Sequence, residues 1–218
     1  MTYEKQIFEG IRYLIRYPDG YDPTQKYPVI LFLHGSGTRG TNLDLLAKND
    51  YFLITEQAFD TFPFITVAPQ CHEDSWVEIW ERLKRLTEEI VFSDFCDKSR
   101  FYALGVSMGG YGAWQLAISM PWCFAAIAPI CGGGMAWNAH RLKNVPIWAF
   151  HGDRDTLVPP EESIRMVEAV RQAGGDARLT LYPGVRHESW INAFSDYALF
   201  DWLLSHQRGE APKNAFFG

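Results

Sequence analysis

Short apolar runs alternate along this chain with stretches in which apolar residues recur every three or four positions. A short continuous run is typical of a strand covered on both faces, and the longer period is typical of a helix with one buried side. Two edge strands are predicted within 5–17, and further strands at 27–34, 62–70, 100–106, 123–133, 145–153 and 177–184. The predicted helices lie at 75–92, 109–120, 159–175 and 189–207. Repeated strand–helix units predict an α/β fold with a doubly wound, mostly parallel sheet and helices on both faces.

Nothing in the sequence divides this pattern into separate parts. The 218 residues contain no internal repeat, no low-complexity tract and no linker, and a chain of this length can bury one large apolar core. We therefore expect a single domain over 1–218, in which 208–218 forms a surface extension.

The composition narrows the class of protein. Hydrophobic residues make up 47% of the chain and charged residues 21%, as in soluble globular proteins. The net charge of −6, without a Lys/Arg cluster, argues against a nucleic-acid surface. No apolar stretch approaches the roughly 18 residues of a membrane span, so we expect no membrane partner.

The N-terminus and the cysteines bear on the cellular compartment. The first twenty residues lack the apolar core and the cleavage site of a signal peptide. The four cysteines, Cys71, Cys96, Cys123 and Cys131, form no CxxC pair. We expect a reduced, cytoplasmic protein; an exported form whose signal has been removed is the alternative.

The segment GVSMGG crowds glycines around one serine between a predicted strand and a predicted helix. A sharp turn there would strain the backbone of Ser107 and lift its hydroxyl above the carboxyl edge of the sheet, where ligands bind. Gly105 and Gly109 would avoid side-chain clashes at this turn, and the N–H of Met108 would face the space above the hydroxyl. The alternatives are a plain tight turn and a phosphate loop. The phosphate loop is disfavoured because neither GxxxxGK nor GxGxxG follows the first strand.

A serine nucleophile needs a base and a group that orients the base. Asp153 and Asp155 follow the end, near Phe150, of the apolar part of the predicted strand 145–153, and His187 follows the last predicted strand. All three lie past carboxyl ends, on the same side of the sheet as the serine. A loop histidine and a turn aspartate are the ordinary interpretations of these positions. A metal site formed by His151 and the two aspartates is disfavoured, because no further cluster would complete its coordination shell.

The glycine-rich segment LFLHGSGTRG, residues 31–40, could supply a second hydrogen-bond donor for an oxyanion. It follows the first long strand, and its backbone could turn over the site. The N–H of Ser36, or less readily that of Gly37, would then lie beside the N–H of Met108. His34 is interpreted as a structural residue, and a plain turn is the alternative for the whole segment.

Five segments together carry a family resemblance: LFLHGSGTRG, LGVSMGGYGAWQLA, FAAIAPICGGG, FHGDRDTLVP and GVRHESW. Over about 27–204 the chain resembles the α/β-hydrolase superfamily, within it the small serine esterases of the carboxylesterase/phospholipase and dienelactone-hydrolase-like group. The resemblance implies Ser107 as nucleophile, His187 as base and Asp155 as the orienting acid, with Asp153 as the alternative acid. Dienelactone hydrolases proper carry cysteine at the nucleophile position of this turn, so Ser107 argues against that particular reaction.

Many members of this superfamily carry a helical lid after the sixth strand. Here only 132–144 lies between the neighbouring predicted strands, which is too short for such a lid. An open site lacks the apolar enclosure that holds long acyl chains, so we expect short acyl groups or a bulky, exposed substrate.

The aromatic residues suggest possible cleft walls. Trp76, Trp137 and Trp190 fall near carboxyl-end loops and are candidates for substrate binding, as is Arg39 for a polar group. Core packing or a surface position is the more common role of such residues. Four other tryptophans have core-facing periods, namely Trp80, Trp114, Trp148 and Trp202.

The leading hypothesis from the sequence is a cofactor-independent serine carboxylesterase that binds a small-molecule ester and acts as a monomer or homodimer, with no metal. A feruloyl or acetyl esterase that acts on plant polysaccharide is the second interpretation. A ligand-binding protein that keeps the fold without catalysis belongs to another class. The ordered serine, aspartate and histidine argue against it, because a binding protein does not need all three.

Overall fold

The computed structural model describes residues 2–209 of the chain. The strands are β1 (Thr2–Phe8), β2 (Ile11–Tyr17), β3 (Tyr27–Leu33), β4 (Ile65–Pro69), β5 (Cys96–Val106), β6 (Ala126–Ile130), β7 (Ile147–Gly152) and β8 (Ala177–Tyr182). The α-helices are α1 (Leu43–Leu46), α2 (Asp50–Ala58), α3 (Trp80–Val91), α4 (Met108–Ser119), α5 (Glu161–Gln172), α6 (Ser189–Phe194) and α7 (Tyr197–Leu204). Short 3-10 helices cover Ser36–Thr38, Trp76–Ile79 and Ala136–Leu142.

The strands form one sheet in the order β1-β2-β4-β3-β5-β6-β7-β8. β2 pairs antiparallel with β1 and β4, and all other neighbouring strands pair in parallel. Seven strands therefore point the same way, and their carboxyl ends meet at one edge. This confirms the doubly wound, mostly parallel sheet that the sequence predicted.

Alternate residues of the central strands face two apolar layers. On β5, Phe101 and Ala103 belong to the layer covered by α3, α4 and α5. Tyr102 and Leu104 belong to the opposite layer, covered by α2, α6 and α7. Because both faces are buried, these strands appear in the sequence as continuous apolar runs, without an alternating pattern.

Two helical regions differ from the sequence-based prediction. The helix predicted at 189–207 is two helices, because Asp196 begins a new one: its side chain accepts a hydrogen bond from the N–H of Ala198 at 2.9 Å. The segment between β3 and β4 carries α1 and α2, for which no helix was predicted. Their starts are capped by the side chains of Asn42 and Asn49.

The connection between β6 and β7 stays close to the sheet. It contains only the 3-10 helix Ala136–Leu142, and no helical lid covers the carboxyl edge within residues 2–209. In the same part of the chain, no helix has both the length and the apolar character needed to cross a membrane. The predicted surface extension at 208–218 lies outside the described residues apart from its first two positions.

Candidate active site

Ser107 occupies a sharp turn between β5 and α4. Its backbone has φ 54° and ψ −116°, a conformation that residues with side chains seldom adopt. Its N–H donates to the carbonyl of Ile130 at 2.9 Å, and its carbonyl accepts from the N–H of Tyr111 at 3.1 Å. These two backbone bonds hold the strained residue between β6 and the first turn of α4.

Gly105 and Gly109 make this turn possible. A Cβ atom at Gly105 would come closer than 3.0 Å to the carbonyl of Gly109, and one at Gly109 would come equally close to the carbonyl of Leu33. Both obstacles are backbone atoms, which cannot move aside as a flexible side chain can. The clash predicted from the glycine spacing is thus confirmed.

The hydroxyl of Ser107 is the first group in a chain of three side chains. Nε2 of His187 lies 2.9 Å from Oγ of Ser107. Nδ1 of the same imidazole lies 2.6 Å from Oδ2 of Asp155. With Nδ1 donating to the carboxylate, Nε2 is free to accept the proton of the serine hydroxyl.

Asp155 is the aspartate that reaches this histidine. Burial by itself raises the pKa of Asp155, but the hydrogen bonds from His187 and from the N–H groups of Val158 and Leu157 outweigh it and lower the pKa. Oδ1 accepts these two N–H groups at 3.0 Å and 2.9 Å. Asp153 is exposed, and its Oδ1 instead accepts from the N–H of Gly184 at 2.7 Å.

A second histidine contacts Asp155 from inside the protein. Nε2 of the buried His151 lies 3.2 Å from Oδ2 of Asp155 and 2.9 Å from the carbonyl of Val158. The side chains of His151, Asp153 and Asp155 do not lie on one face of a strand, because β7 ends at Gly152 and Asp153 contacts the N–H of Gly184 instead. No group of three or more His, Cys, Asp or Glu side chains in residues 2–209 is arranged to hold a metal.

The segment after β3 lies directly against the serine turn. A Cβ atom on Gly35 would be 3.5 Å from Cβ of Ser107. The next residue, Ser36, begins a 3-10 helix, as Met108 begins α4. The first N–H groups of a helix have no partner within it, so both residues have a donor available for a ligand.

His34 and Arg39 hold this segment in place. Nδ1 of His34 lies 2.7 Å from the carbonyl of Gly35, and its Nε2 accepts from the N–H of Cys71 at 3.0 Å. Burial lowers the pKa of His34 to about 4, so the ring is neutral at pH 7. Arg39 donates to the carbonyl of Ser36 at 3.0 Å and pairs with Asp74 at 3.2 Å.

A pocket of about 330 Å³, here called the serine pocket, contains Ser107 and His187. Ser36, Thr38, Lys48, Asn49, Asp50 and Trp190 are among its other walls. Trp190 donates from Nε1 to Oδ2 of Asp50 at 2.8 Å, and its ring meets that of His187 edge to face, with 5.5 Å between centroids. Of the four residues predicted to bind substrate, Trp190 is the one that this pocket contains.

A second pocket of about 450 Å³, here called the aromatic pocket, begins at the residue after the serine. Its main walls are Trp76, Trp80, Met108, Tyr111 and Met135. Trp76 is almost fully buried and donates from Nε1 to the carbonyl of His34 at 3.2 Å, so it is both a wall of this pocket and a support for the neighbouring segment.

Two predicted binding residues lie away from both pockets. Trp137 has 76% of its surface exposed and lines neither pocket in the described part of the chain. Arg39 is also outside both linings, because its guanidinium is directed to Ser36 and Asp74. Sequence reasoning missed Tyr111; Trp80 packs against the apolar layer, as its period predicts, and also lines the aromatic pocket. Their positions on α4 and α3 have the helical period of buried residues, and no local signal marks the pocket.

Comparisons with known proteins bear on the family and the fold. Residues 66–196 match the model of the dienelactone hydrolase family. The chain is similar to the probable feruloyl esterase C of Aspergillus terreus (strain NIH 2624 / FGSC A1156), with 26% identity over 182 residues that cover 80% of this chain and 66% of that protein.

Two solved structures share the fold. A thermostable esterase superposes with a TM-score of 0.80 at 30% identity, over 94% of this chain and 63% of the other. The feruloyl esterase module of Clostridium thermocellum, solved with sinapinate, has a TM-score of 0.70 at 17% identity, over 91% and 86% of the two chains. The fold is therefore the α/β-hydrolase fold. The chain spans just under two thirds of the length of the Aspergillus relative and of the thermostable esterase.

Proposed function

The chain belongs to the dienelactone hydrolase family, and on this basis we propose that it is a serine carboxylesterase that hydrolyses esters through an acyl-enzyme on Ser107. The observation that carries the proposal is the continuous contact from Oγ of Ser107 through His187 to Asp155, at 2.9 Å and 2.6 Å. These are hydrogen-bond distances between a nucleophile, a base and an orienting acid.

The three side chains act in sequence in the proposed reaction. Oγ of Ser107 attacks the ester carbonyl carbon while Nε2 of His187 takes the hydroxyl proton. The imidazolium is stabilised by the carboxylate of Asp155. When the tetrahedral intermediate breaks down, the same proton passes to the leaving alcohol oxygen. Water then attacks the acyl-enzyme, with His187 again as base, and releases the acid and free serine.

The N–H groups of Ser36 and Met108 are proposed to form the oxyanion hole. Both stand at the first position of a helix, and the segment of Ser36 packs against Ser107. Donors fixed in position before the reaction stabilise the oxyanion without any cost of reorientation. His34 and Arg39 support this arrangement by bonding to the carbonyls of Gly35 and Ser36.

A feruloyl or acetyl esterase is the second candidate within the same chemistry. The similarity to the probable feruloyl esterase C of Aspergillus terreus over 80% of this chain favours it. Ser107 in place of cysteine supports ester hydrolysis of this kind over the dienelactone reaction.

We also propose a cellular compartment and an oligomeric state for the protein. All four cysteines are free and buried, which supports a reducing, cytoplasmic location. We propose a small-molecule ester as the partner, no nucleic acid or membrane partner, and a monomer or homodimer as the working form. The proposed steps use only side chains and backbone groups of this chain, and we propose no cofactor.

A p-nitrophenyl ester series from acetate to laurate, together with a ferulate ester, tests the function on wild-type protein and Ser107→Ala. Turnover that is present in the wild type and lost in the variant supports the esterase. Equal rates in both proteins contradict it. Stoichiometric labelling by a phosphonate separates an enzyme from a non-catalytic binding protein, because an idle serine would remain unlabelled.

A further inference from the structure

We propose that the aromatic pocket binds the acyl part of the ester and that it is built for an acyl group bearing an aromatic ring. This assignment rests on the proposed esterase function and divides the substrate between the two pockets. The alcohol part then lies in the serine pocket.

The position of His187 determines into which pocket the alcohol part of the ester extends. In the tetrahedral intermediate the former carbonyl carbon carries Oγ of Ser107, the oxyanion, the leaving oxygen and the acyl carbon. The leaving oxygen must lie near Nε2 of His187 to receive its proton. Because His187 is a wall of the serine pocket, the alcohol extends into that pocket.

The acyl carbon takes the remaining direction. With the oxyanion held by the N–H of Ser36 and Met108 and the leaving oxygen at Nε2 of His187, we place the acyl carbon on the Met108 side of the serine turn. The side chain of Met108 forms a wall of the aromatic pocket there, and Tyr111 follows one helical turn later. Met108 thus links the two pockets: its N–H is a proposed oxyanion donor and the same residue lines the aromatic pocket, whereas Ser107 itself lines the serine pocket.

The walls of the aromatic pocket match a flat apolar group. Trp76, Trp80 and Tyr111 offer ring faces and edges, and the thioethers of Met108 and Met135 make favourable contacts with aromatic rings. Its lining within residues 2–209 includes no charged side chain, so an acyl group with a second carboxylate is disfavoured. The volume of about 450 Å³ has room for a substituted ring.

The serine pocket has a different chemistry that suits a hydroxylated alcohol. Thr38, Lys48, Asn49 and Asp50 bring polar side chains to it, beside the ring of Trp190. The amide of Asn49 donates to the hydroxyl of Thr38 at 3.0 Å, and one carboxylate oxygen of Asp50 accepts from Trp190 at 2.8 Å, so these groups are fixed in position along the wall. A sugar-like alcohol offers many hydroxyls to such groups and a flat apolar face to a tryptophan. The proposed substrate is therefore an ester between an aromatic acid and a polyhydroxylated alcohol.

The experiment measures kcat/KM for two pairs of esters. Cinnamate and acetate esters of p-nitrophenol report on the acyl side, and glucosyl and methyl esters of cinnamic acid report on the alcohol side. The acyl-side variants are Tyr111→Ala, Trp80→Ala and Val77→Trp; Val77 is 73% exposed at the rim, so the last variant narrows the pocket without disturbing the core. Lys48→Ala probes the alcohol side, and Ile7→Ala, on the exposed edge strand, is the control truncation.

We expect Tyr111→Ala and Trp80→Ala to lower the cinnamate-to-acetate ratio of kcat/KM about tenfold, the effect of losing one aromatic contact worth about 1.4 kcal/mol. Val77→Trp should lower the same ratio because the added side chain occupies space at the rim that the cinnamoyl group needs and the acetyl group does not. Lys48→Ala should lower the glucosyl-to-methyl ratio of kcat/KM and leave the cinnamate-to-acetate ratio unchanged. Thermal unfolding checks that each variant is folded.

The assignment is overturned if the acyl-side variants change the glucosyl-to-methyl ratio of kcat/KM. It is also overturned if they change neither this ratio nor the cinnamate-to-acetate ratio while Ser107→Ala abolishes turnover. A decanoate ester that wild-type protein hydrolyses faster than cinnamate overturns the aromatic specificity. If Ser107→Ala matches the wild type on every ester, the esterase function fails and the assignment fails with it.

Discussion

His151 shares one carboxylate oxygen of Asp155 with His187. Its Nε2 lies 3.2 Å from Oδ2 of Asp155, whereas Nδ1 of His187 lies 2.6 Å from the same atom. The other neighbour of Nε2 is the carbonyl of Val158, which is also an acceptor, so Nε2 carries the proton. Burial lowers the pKa of His151, despite the opposing effects of Val158 and Asp155, and the ring is neutral at pH 7. His151 is thus a neutral donor that fixes Asp155 from the interior.

Replacing His151 should impair catalysis through Asp155, which makes His151 a positioning residue. We expect His151→Phe to lower kcat about tenfold with little change in KM, corresponding to the loss of about 1.4 kcal/mol of hydrogen bonding to the carboxylate. Loss of this donor makes the carboxylate more basic, so its attraction for protonated His187 increases. The acid limb of the kcat/KM profile should therefore move to higher pH. Steady-state kinetics between roughly pH 5 and 9, a range that includes the usual histidine pKa of about 6.5, measure the fall in kcat and the displacement of the acid limb.

His151→Gln is the matched control for that variant. Its amide can still donate to the carbonyl of Val158 and to Asp155, so most of kcat should return. A His151→Phe protein with the wild-type kcat and pH profile would show that the shared oxygen has no effect on the reaction.

The two aspartates of HGDRD should differ sharply in their effect on turnover. Asp155→Asn keeps the shape but reverses the hydrogen bond to Nδ1 of His187, which disfavours the tautomer that can accept the serine proton. We expect kcat to fall by about 10³–10⁴. Asp153→Asn should stay within a few fold of the wild type, because this side chain is exposed and contacts the N–H of Gly184. Steady-state kinetics of both variants under the same conditions measure kcat. Comparable losses of kcat in the two variants would contradict the assignment of Asp155 as the acid.

The serine turn should be intolerant of any side chain at Gly109. Its Cβ would come closer than 3.0 Å to the carbonyls of Leu33 and His34, so β3 and α4 would have to separate. We expect Gly109→Ala to destabilise the fold by about 3 kcal/mol or more, as for other severe steric replacements. Gly37→Ala is the control, because a Cβ there has no heavy atom within 4 Å. Urea unfolding measures both, and equal midpoints would show that the turn can relax.

The sequence predicted the parts of this molecule that local rules determine. The serine turn follows from the glycine spacing, since a Cβ atom at Gly105 or Gly109 would clash with backbone atoms in a sharp strand–helix turn. The positions of Asp155 and His187 follow from parallel strands, whose carboxyl ends meet at one edge. These relations need only the order of strands and helices.

Other features depend on contacts between distant segments, which one sequence does not display. Trp80 packs against the apolar layer as its period predicts, but its contact with the aromatic pocket, which it shares with Tyr111 and 133–135, depends on segments that are distant in the sequence. The break at Asp196 depends on one capping side chain within an apolar stretch. His151 belongs to a motif that also fits metal binding, and only its distance to Asp155 reveals its contact.

Acid should destabilise this protein between about pH 6.5 and pH 4, in part through His34. Its pKa is lowered to about 4 by burial, whereas an unfolded histidine has a pKa of about 6.5. In this window the unfolded chain binds a proton that the folded chain does not, so the free energy of unfolding falls as the pH falls. The full shift corresponds to about 3 kcal/mol, present above pH 6.5 and lost by pH 4. The lowered pKa of His151 acts in the same direction, and that of Asp155 adds a loss only at lower pH, near and below about 4.

Urea unfolding at several pH values, with His34→Gln beside the wild type, isolates this contribution. His34→Gln should be less stable at pH 7, because Gln does not reproduce both bonds of the ring to Gly35 and Cys71. Its stability should nevertheless depend less steeply on pH, by up to one proton, or about 1.4 kcal/mol per pH unit. His140→Gln, at an exposed position, is the matched control. A His34→Gln protein with the wild-type slope would mean that His34 titrates alike in the folded and unfolded chains, and that burial does not keep the ring beside the serine turn neutral.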